Sequence, residues 1–205
     1  MARRASSAYT LSFMLMLGTI SVFPAFSLAA PSLAEVETYI RTARAEGKQP
    51  QLVKEFGRDF MNSYLNGLDL SNVDFSGANL RGTSLYGSDL TGANLSDAML
   101  YSADLTATDL TNANFTHANL SFADFQEAKI SKTNFTHAVL QSANLSNISI
   151  LESDFNLADL SSAKLYNSDL RNTKFVVANL YGSDFQGTLL SSANLDSAYA
   201  EGADF

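Results

Sequence analysis

The chain has 205 residues, 46% apolar and 17% charged, a balance that excludes both a disordered polymer and a protein wholly embedded in membrane. Cysteine is absent, which excludes disulfide frameworks, thiolate zinc sites and cysteine nucleophiles. The formal charge of −8 argues against direct nucleic-acid binding, because phosphate contacts need a basic face.

The chain opens with Arg3 and Arg4, an apolar run from Tyr9 to about Phe26, and small residues before Pro31. A basic start, an apolar stretch and a small-residue cleavage site describe a secretory signal peptide over residues 1–30, cut after Ala29 or Ala30. The run also approaches the ~18–20 apolar residues of an uncleaved membrane anchor. Cleavage would leave an exported chain, in the periplasm or an equivalent extracytoplasmic compartment, with no membrane contact.

Residues 31–64 have a helical pattern. Ser32 followed by Glu35 is a capping box, Leu33, Val36, Ile40 and Ala43 share one helical face, and Gly47 is a natural stop. After Pro50, Val53, Phe56, Phe60 and Tyr64 give a second, weaker helical spacing. The whole segment is expected to be an N-terminal helical cap.

From Leu65 every fifth residue is large and apolar, through Leu70, Phe75 and Leu80 to Phe205, with Ala200 the one exception. Two residues earlier a small residue usually stands, with Asp or Asn between. Side chains two apart along an extended segment point the same way, so small and large residues point inward and the Asp or Asn outward. A five-residue reset breaks the alternation unless the chain bends once per repeat, and a chain that bends repeatedly in one sense coils. Five residues cannot bury their own leucine, so the coils must stack. Residues 65–205 are thus expected to form an all-β solenoid. This segment holds 16 acidic against 6 basic residues, a balance of −10.

The pentads "SGANL", "TGANL", "YSADL", "TNANF" and "SSANL" resemble the A(D/N)LXX unit of pentapeptide repeat proteins. The resemblance implies a right-handed quadrilateral β-helix with four pentads per coil, here about seven coils. Independently, the phenylalanines at 75, 115, 125, 135, 155, 175, 185 and 205 occupy alternate pentads, which supports an even number of faces. With four, Phe75, Phe115, Phe135, Phe155 and Phe175 line one column, and Phe125, Phe185 and Phe205 the opposite one.

Folding at twenty residues puts Met99, His117, His137, Val139, Leu157, Val176, Val177 and Tyr199 on one outer face, where the repeat normally carries polar residues. An apolar patch rimmed by polar groups often marks an interaction surface, here for an unknown protein partner, and drift of the repeat is the alternative reading. The same face stacks Asp97, His117 and His137, two imidazoles and a carboxylate that could hold a divalent cation. Against this, a flat ladder offers no closed coordination shell, so a solvated face is the stronger reading of these three. Tyr86 with Tyr166, and Tyr101 with Tyr181 near Phe122, read as solvated decoration. No catalytic base with an orienting partner and no Gly-rich phosphate loop stands out, so neither an enzyme nor a cofactor is expected.

Three readings follow: an exported non-catalytic structural or protein-interaction rod; an acidic, DNA-mimicking gyrase binder, as resemblance to the quinolone-resistance members implies, if the leader is not cleaved; and weak metal or ligand binding on the His117/His137 face. At the C-terminal coil the unpaired strand edge invites a homodimer.

Overall fold

The computed structural model describes residues 30–205; the expected signal peptide lies outside the described residues apart from Ala30. Among the described residues no helix is long and apolar enough to cross a membrane.

Helix α1 spans Leu33–Ala45. Its capping box is formed: Ser32 Oγ accepts from the Glu35 N–H at 3.4 Å, and Glu35 Oε2 accepts from the Ser32 N–H at 2.9 Å. At the other end Gly47 has φ +69. There the Gly47 N–H reaches Arg44 O at 2.9 Å and the Lys48 N–H reaches Ala43 O at 2.8 Å, the paired bonds of a Schellman stop. Val36, Ile40 and Ala43 are buried as their spacing predicts, whereas Leu33, expected on the same face, is exposed. Val36 and Ile40 join the apolar cluster that runs through the solenoid. Arg44 fixes the helix to the first coil, donating to Asp69 O at 3.2 Å and Ser71 O at 3.1 Å and pairing with the Asp69 carboxylate at 3.0 Å.

Helix α2, Leu52–Phe56, stops at Gly57, whose φ is +79. Asp59 already pairs with Asn79 in the parallel ladder, and Phe60 is a fully buried interior residue. Residues 58–64, expected within the cap, therefore form the first side of the solenoid. Phe56, Phe60 and Tyr64 have i, i+4 spacing, which fits a helix, but Phe60 belongs to the five-residue series.

From Asp59 to Asp204 each bridge joins a residue to the one twenty further on, always parallel. The strands β1 (Lys129–Ser131) and β2 (Ser149–Leu151) keep this register, with Ile130 opposite Ile150. Twenty residues are four pentads, so each coil has four sides. In most pentads before the last coil the interior residue and the one two further on donate backbone N–H bonds to the next coil, as Phe60 does to Asn79 O at 2.8 Å and Asn62 to Arg81 O at 2.9 Å.

The predicted bend is a tight turn. Ser63 N–H returns to Phe60 O at 3.0 Å, and every fifth residue from Asn62 to Gly202 has positive φ, the combination of a type II turn. Asp and Asn recur before the interior residue because their Oδ1 caps an N–H that the ladder leaves free. Asp74 Oδ1 accepts from Ser76 N–H at 3.0 Å, and Asn114 Oδ1 from Thr116 N–H at 3.1 Å.

At Leu68 and Ile148 the turn opens, although Val73, also larger than the usual inward residue, keeps its bond to Leu70 O at 3.1 Å. Leu68 makes no bond back to Leu65; instead Ser88 Oγ, from the next coil, donates to Leu65 O at 2.7 Å and accepts from the Leu68 N–H at 3.3 Å. Ser168 does the same for Leu145 and Ile148.

The core is the rod's axis. Phe115, Phe135, Phe155 and Phe175 stack with centroid separations of 5.0, 4.5 and 5.2 Å. Phe125 meets Phe135 edge-on from the opposite column at 6.2 Å. All five are fully buried.

Candidate interaction surface

The outer surface is a set of columns, each repeating one pentad position down the rod. Two columns carry all but Val176 of the residues singled out on the face between the Phe75 and Leu80 corners. The first is the ladder column, Asn79–Met99–Asn119–Val139–Asp159–Asn179–Tyr199, joined by successive bridges. Here Met99 and Val139 are half-buried and each is separated from the next apolar member by at least one polar residue. Met99, Val139 and Tyr199 therefore do not form a continuous patch.

The second is the positive-φ column at the turn. It runs Asp97, His117, His137, Leu157, Val177, with φ between +58 and +61 throughout. Its last four members are consecutive bulky side chains and form a ridge. The backbone bonds that hold them are regular: His117 N–H to Thr136 O and His137 N–H to Asn156 O, both 3.1 Å, and Leu157 N–H to Val176 O at 3.0 Å. Val176 flanks Val177, and its own N–H is taken by Asn156 Oδ1 of the previous coil at 2.8 Å. That bond replaces the usual cap, because Lys174 stands where the repeat would place Asp or Asn.

The ridge is costly twice over. Leu157 and Val177 are 47% and 51% exposed, so their burial repays little. Their backbone sits in the left-handed region, which suits Gly, Asn and Asp. Val177 is the only β-branched residue at positive φ among the described residues, the type for which this conformation is a genuine outlier. Sequence reasoning found the exposed apolar residues but not their conformational cost, which requires knowing which pentad position carries the turn.

His117 and His137 lie face to face, with ring centroids 4.8 Å apart and planes 19° from parallel. Asp97 lies in the same column, but among the described residues no group of three His, Asp or Glu side chains converges as a metal shell would. Around the next corner Tyr199 stacks on Tyr181 at 6.1 Å and its hydroxyl bonds Glu201. Tyr101 meets Phe122 edge-on at 5.3 Å. Both pairs join adjacent coils, which a search along single columns misses.

Two carboxylates outside this face, Asp74 and Asp169, have lowered pKa values. The Ser76 N–H keeps Asp74 below the usual carboxylate range, helped by the Asn94 amide and Arg58. The Arg171 guanidinium does the same for Asp169, with bonds of 2.8 and 2.6 Å. A shallow depression of about 230 Å³ lies over Gln126, Glu127, Ser146 and Asn147, and another of the same size between α1 and the first coil, beside Arg41 and Arg44. Both are open to solvent, and Ile40 and Leu68 line the second.

This geometry, a parallel solenoid turning four corners in twenty residues, defines a class of fold. The chain belongs to the pentapeptide repeat family: the pentapeptide repeat region matches residues 58–135 and 105–175, and the eight-copy pentapeptide repeat matches residues 178–205. Similar solved structures include HetL, a pentapeptide repeat protein involved in heterocyst differentiation regulation from the cyanobacterium Nostoc. It is 23% identical over 80% of this chain and 94% of its own, with TM-score 0.46. QnrB1, a plasmid-mediated fluoroquinolone resistance protein, is 22% identical over 70% and 84%, with TM-score 0.45. A pentapeptide repeat protein from the Arabidopsis thaliana thylakoid lumen is 36% identical over 49% and 70%, with TM-score 0.31. No curated protein matches the sequence.

Proposed function

We propose that this chain is an exported, non-catalytic rod of about seven coils, capped by its N-terminal helices, that works by docking another protein along the ridge His117–His137–Leu157–Val177. One observation carries the reading: Leu157 and Val177 keep exposed apolar side chains at positive φ, where the backbone favours Asn or Gly and neither folding nor solubility rewards them. Strain held at a surface is a mark of function rather than of packing. The leader's composition supports export.

The test is photo-crosslinking in cells that export the chain. A photoreactive residue at Leu157 or Val177 should give the same discrete adduct, while one at Glu127, a positive-φ position on another face, should give none. Equal adducts at all three positions, or none, would remove the ridge from the account. Sequencing the N-terminus of the exported material checks the leader; an intact Met1 would contradict export.

The acidity of the repeats favours a second reading, a DNA mimic that occupies gyrase. Charge density decides against it. The balance of −10 over seven coils, ~34 Å, is about one net charge per 3.4 Å, half the charge density of duplex DNA, which carries one per ~1.7 Å. One face also carries Lys132, Arg171 and Lys174. Inhibition of gyrase supercoiling by the purified chain would reverse this ranking.

A further inference from the structure

We propose that His117 and His137 together clamp one late first-row divalent cation, Cu²⁺ before Ni²⁺ or Zn²⁺, with water or a partner's donor completing the shell. The two are the only histidines in the chain, and they occupy the same pentad position one coil apart. Each sits in an identical stretch, Asn114–Phe115–Thr116–His117–Ala118 and Asn134–Phe135–Thr136–His137–Ala138.

Both backbones are fixed by ladder bonds of 3.1 Å, and both turns are closed by side chains. Thr116 and Thr136 donate from Oγ1 to Asn114 and Asn134 Oδ1 at 2.6 Å, and Asn134 Nδ2 reaches Thr116 Oγ1 at 3.1 Å. The scaffold under the pair is therefore set before any ion arrives, while the rings themselves face solvent.

The distances suit one ion between two rings. An imidazole nitrogen binds at about 2.0–2.1 Å, so two nitrogens on one ion lie about 2.9 Å apart at right angles and about 4.2 Å apart when opposed. The rings are stacked with centroids 4.8 Å apart and planes 19° from parallel, so sharing one ion requires both exposed side chains to rotate about χ1 and χ2 until their in-plane nitrogens point at it. Imidazole donors on a site open to water suit copper and nickel, and the affinity order places copper first. Asp97 is a neighbour in the column, but it does not converge with the pair, so the clamp is assigned to the two imidazoles alone.

The inference does not rest on the docking role of the ridge, since it concerns the metal and the apo chain alone.

The experiment adds CuCl₂ below stoichiometry to the purified mature chain and follows the imidazole ring protons by NMR, with calorimetry for stoichiometry. Both histidines should broaden together, at one ion per chain. His117→Asn and His137→Asn should each weaken binding at least tenfold, and Asp97→Asn should leave it within about twofold. Asn is chosen because positive φ suits it; an Asn variant that fails to fold is replaced by the Gly variant. Independent broadening of the two rings at two ions per chain, single variants that bind as well as the native chain, or a tenfold loss with Asp97→Asn would each overturn the clamp.

Discussion

Replacing Val177 by Asn should make the protein more stable, although it removes a hydrophobic side chain. Holding an L-residue in the left-handed region costs about 1–2 kcal/mol, and a β-branched residue such as Val177, at φ +58, lies toward the upper end. Asn relieves most of that strain. Against the gain stands the lost burial. Val177 is 51% exposed, so trimming it forfeits about half of the ~1.5 kcal/mol that burying a valine contributes. The balance is a stabilisation of about 0.5–1 kcal/mol. For a chain of this size that raises the thermal midpoint by about 1–4 °C. Val177→Gly relieves the same strain but gives back about 0.5–1 kcal/mol through the freedom of the unfolded chain, so it should be nearly neutral. Urea unfolding followed by circular dichroism orders the three proteins. If Val177→Asn unfolds at lower urea than the native chain, the valine is ordinary packing and the argument from strain to docking fails. The same variant should lose the crosslinked adduct formed through Leu157, so stability and association would move in opposite directions.

Phe135→Ala should cost about 3–5 kcal/mol, because the ring is fully buried between Phe115 and Phe155 at 5.0 and 4.5 Å; Thr136→Ala, outside the core, should stay within about 0.5 kcal/mol, and equal urea midpoints would refute the register. Ser88→Ala strands Leu65 O and the Leu68 N–H and should cost about 1–3 kcal/mol. Ser183→Ala should cost less, because Leu180 O keeps its bond from the Ser183 N–H at 3.1 Å; equal losses would show that the open turns are not held by hydroxyls. Asp74 and Asp169 have folded pKa values below their unfolded ones, so their contribution is fully present above about pH 4 and is lost as pH falls through the folded values. Asp74→Asn keeps an oxygen for the Ser76 N–H but no longer titrates, so thermal midpoints measured from pH 6 to pH 2 should fall less for this variant than for the native chain.

Period, burial and aromatic columns were legible in the sequence because interior packing leaves one residue type per position: Phe115, Phe135, Phe155 and Phe175 can stack only if they recur at twenty. The capping box at Ser32 and Glu35 was legible because it is local. The start of the solenoid was not, since Phe60 satisfies a five-residue and a four-residue spacing at once, and the choice rests on Asp59 finding Asn79 twenty residues away. The serine bridges were hidden for the same reason: nothing near Leu68 in the chain announces that Ser88 will replace its turn bond. Of the expected surface patch, the structure gathers His117, His137, Leu157 and Val177 in one column and disperses Met99, Val139 and Tyr199 in another, where polar residues stand between them.

The twenty-residue register makes the molecule both a ruler and a dial. Gaining or losing a whole coil changes its length and leaves every face pointing as before. Gaining or losing one pentad still leaves a well-formed repeat, yet rotates everything beyond it by a quarter turn. Removal of Ser146–Ile150, for example, would set Leu157 and Val177 on a different side from His117 and His137, and would move Phe155 and Phe175 from the phenylalanine stack into the Ile130 column. Such a protein would keep its turns and its parallel ladder while presenting a broken ridge. The unit of change that the fold accepts is thus four times smaller than the unit its surface can tolerate.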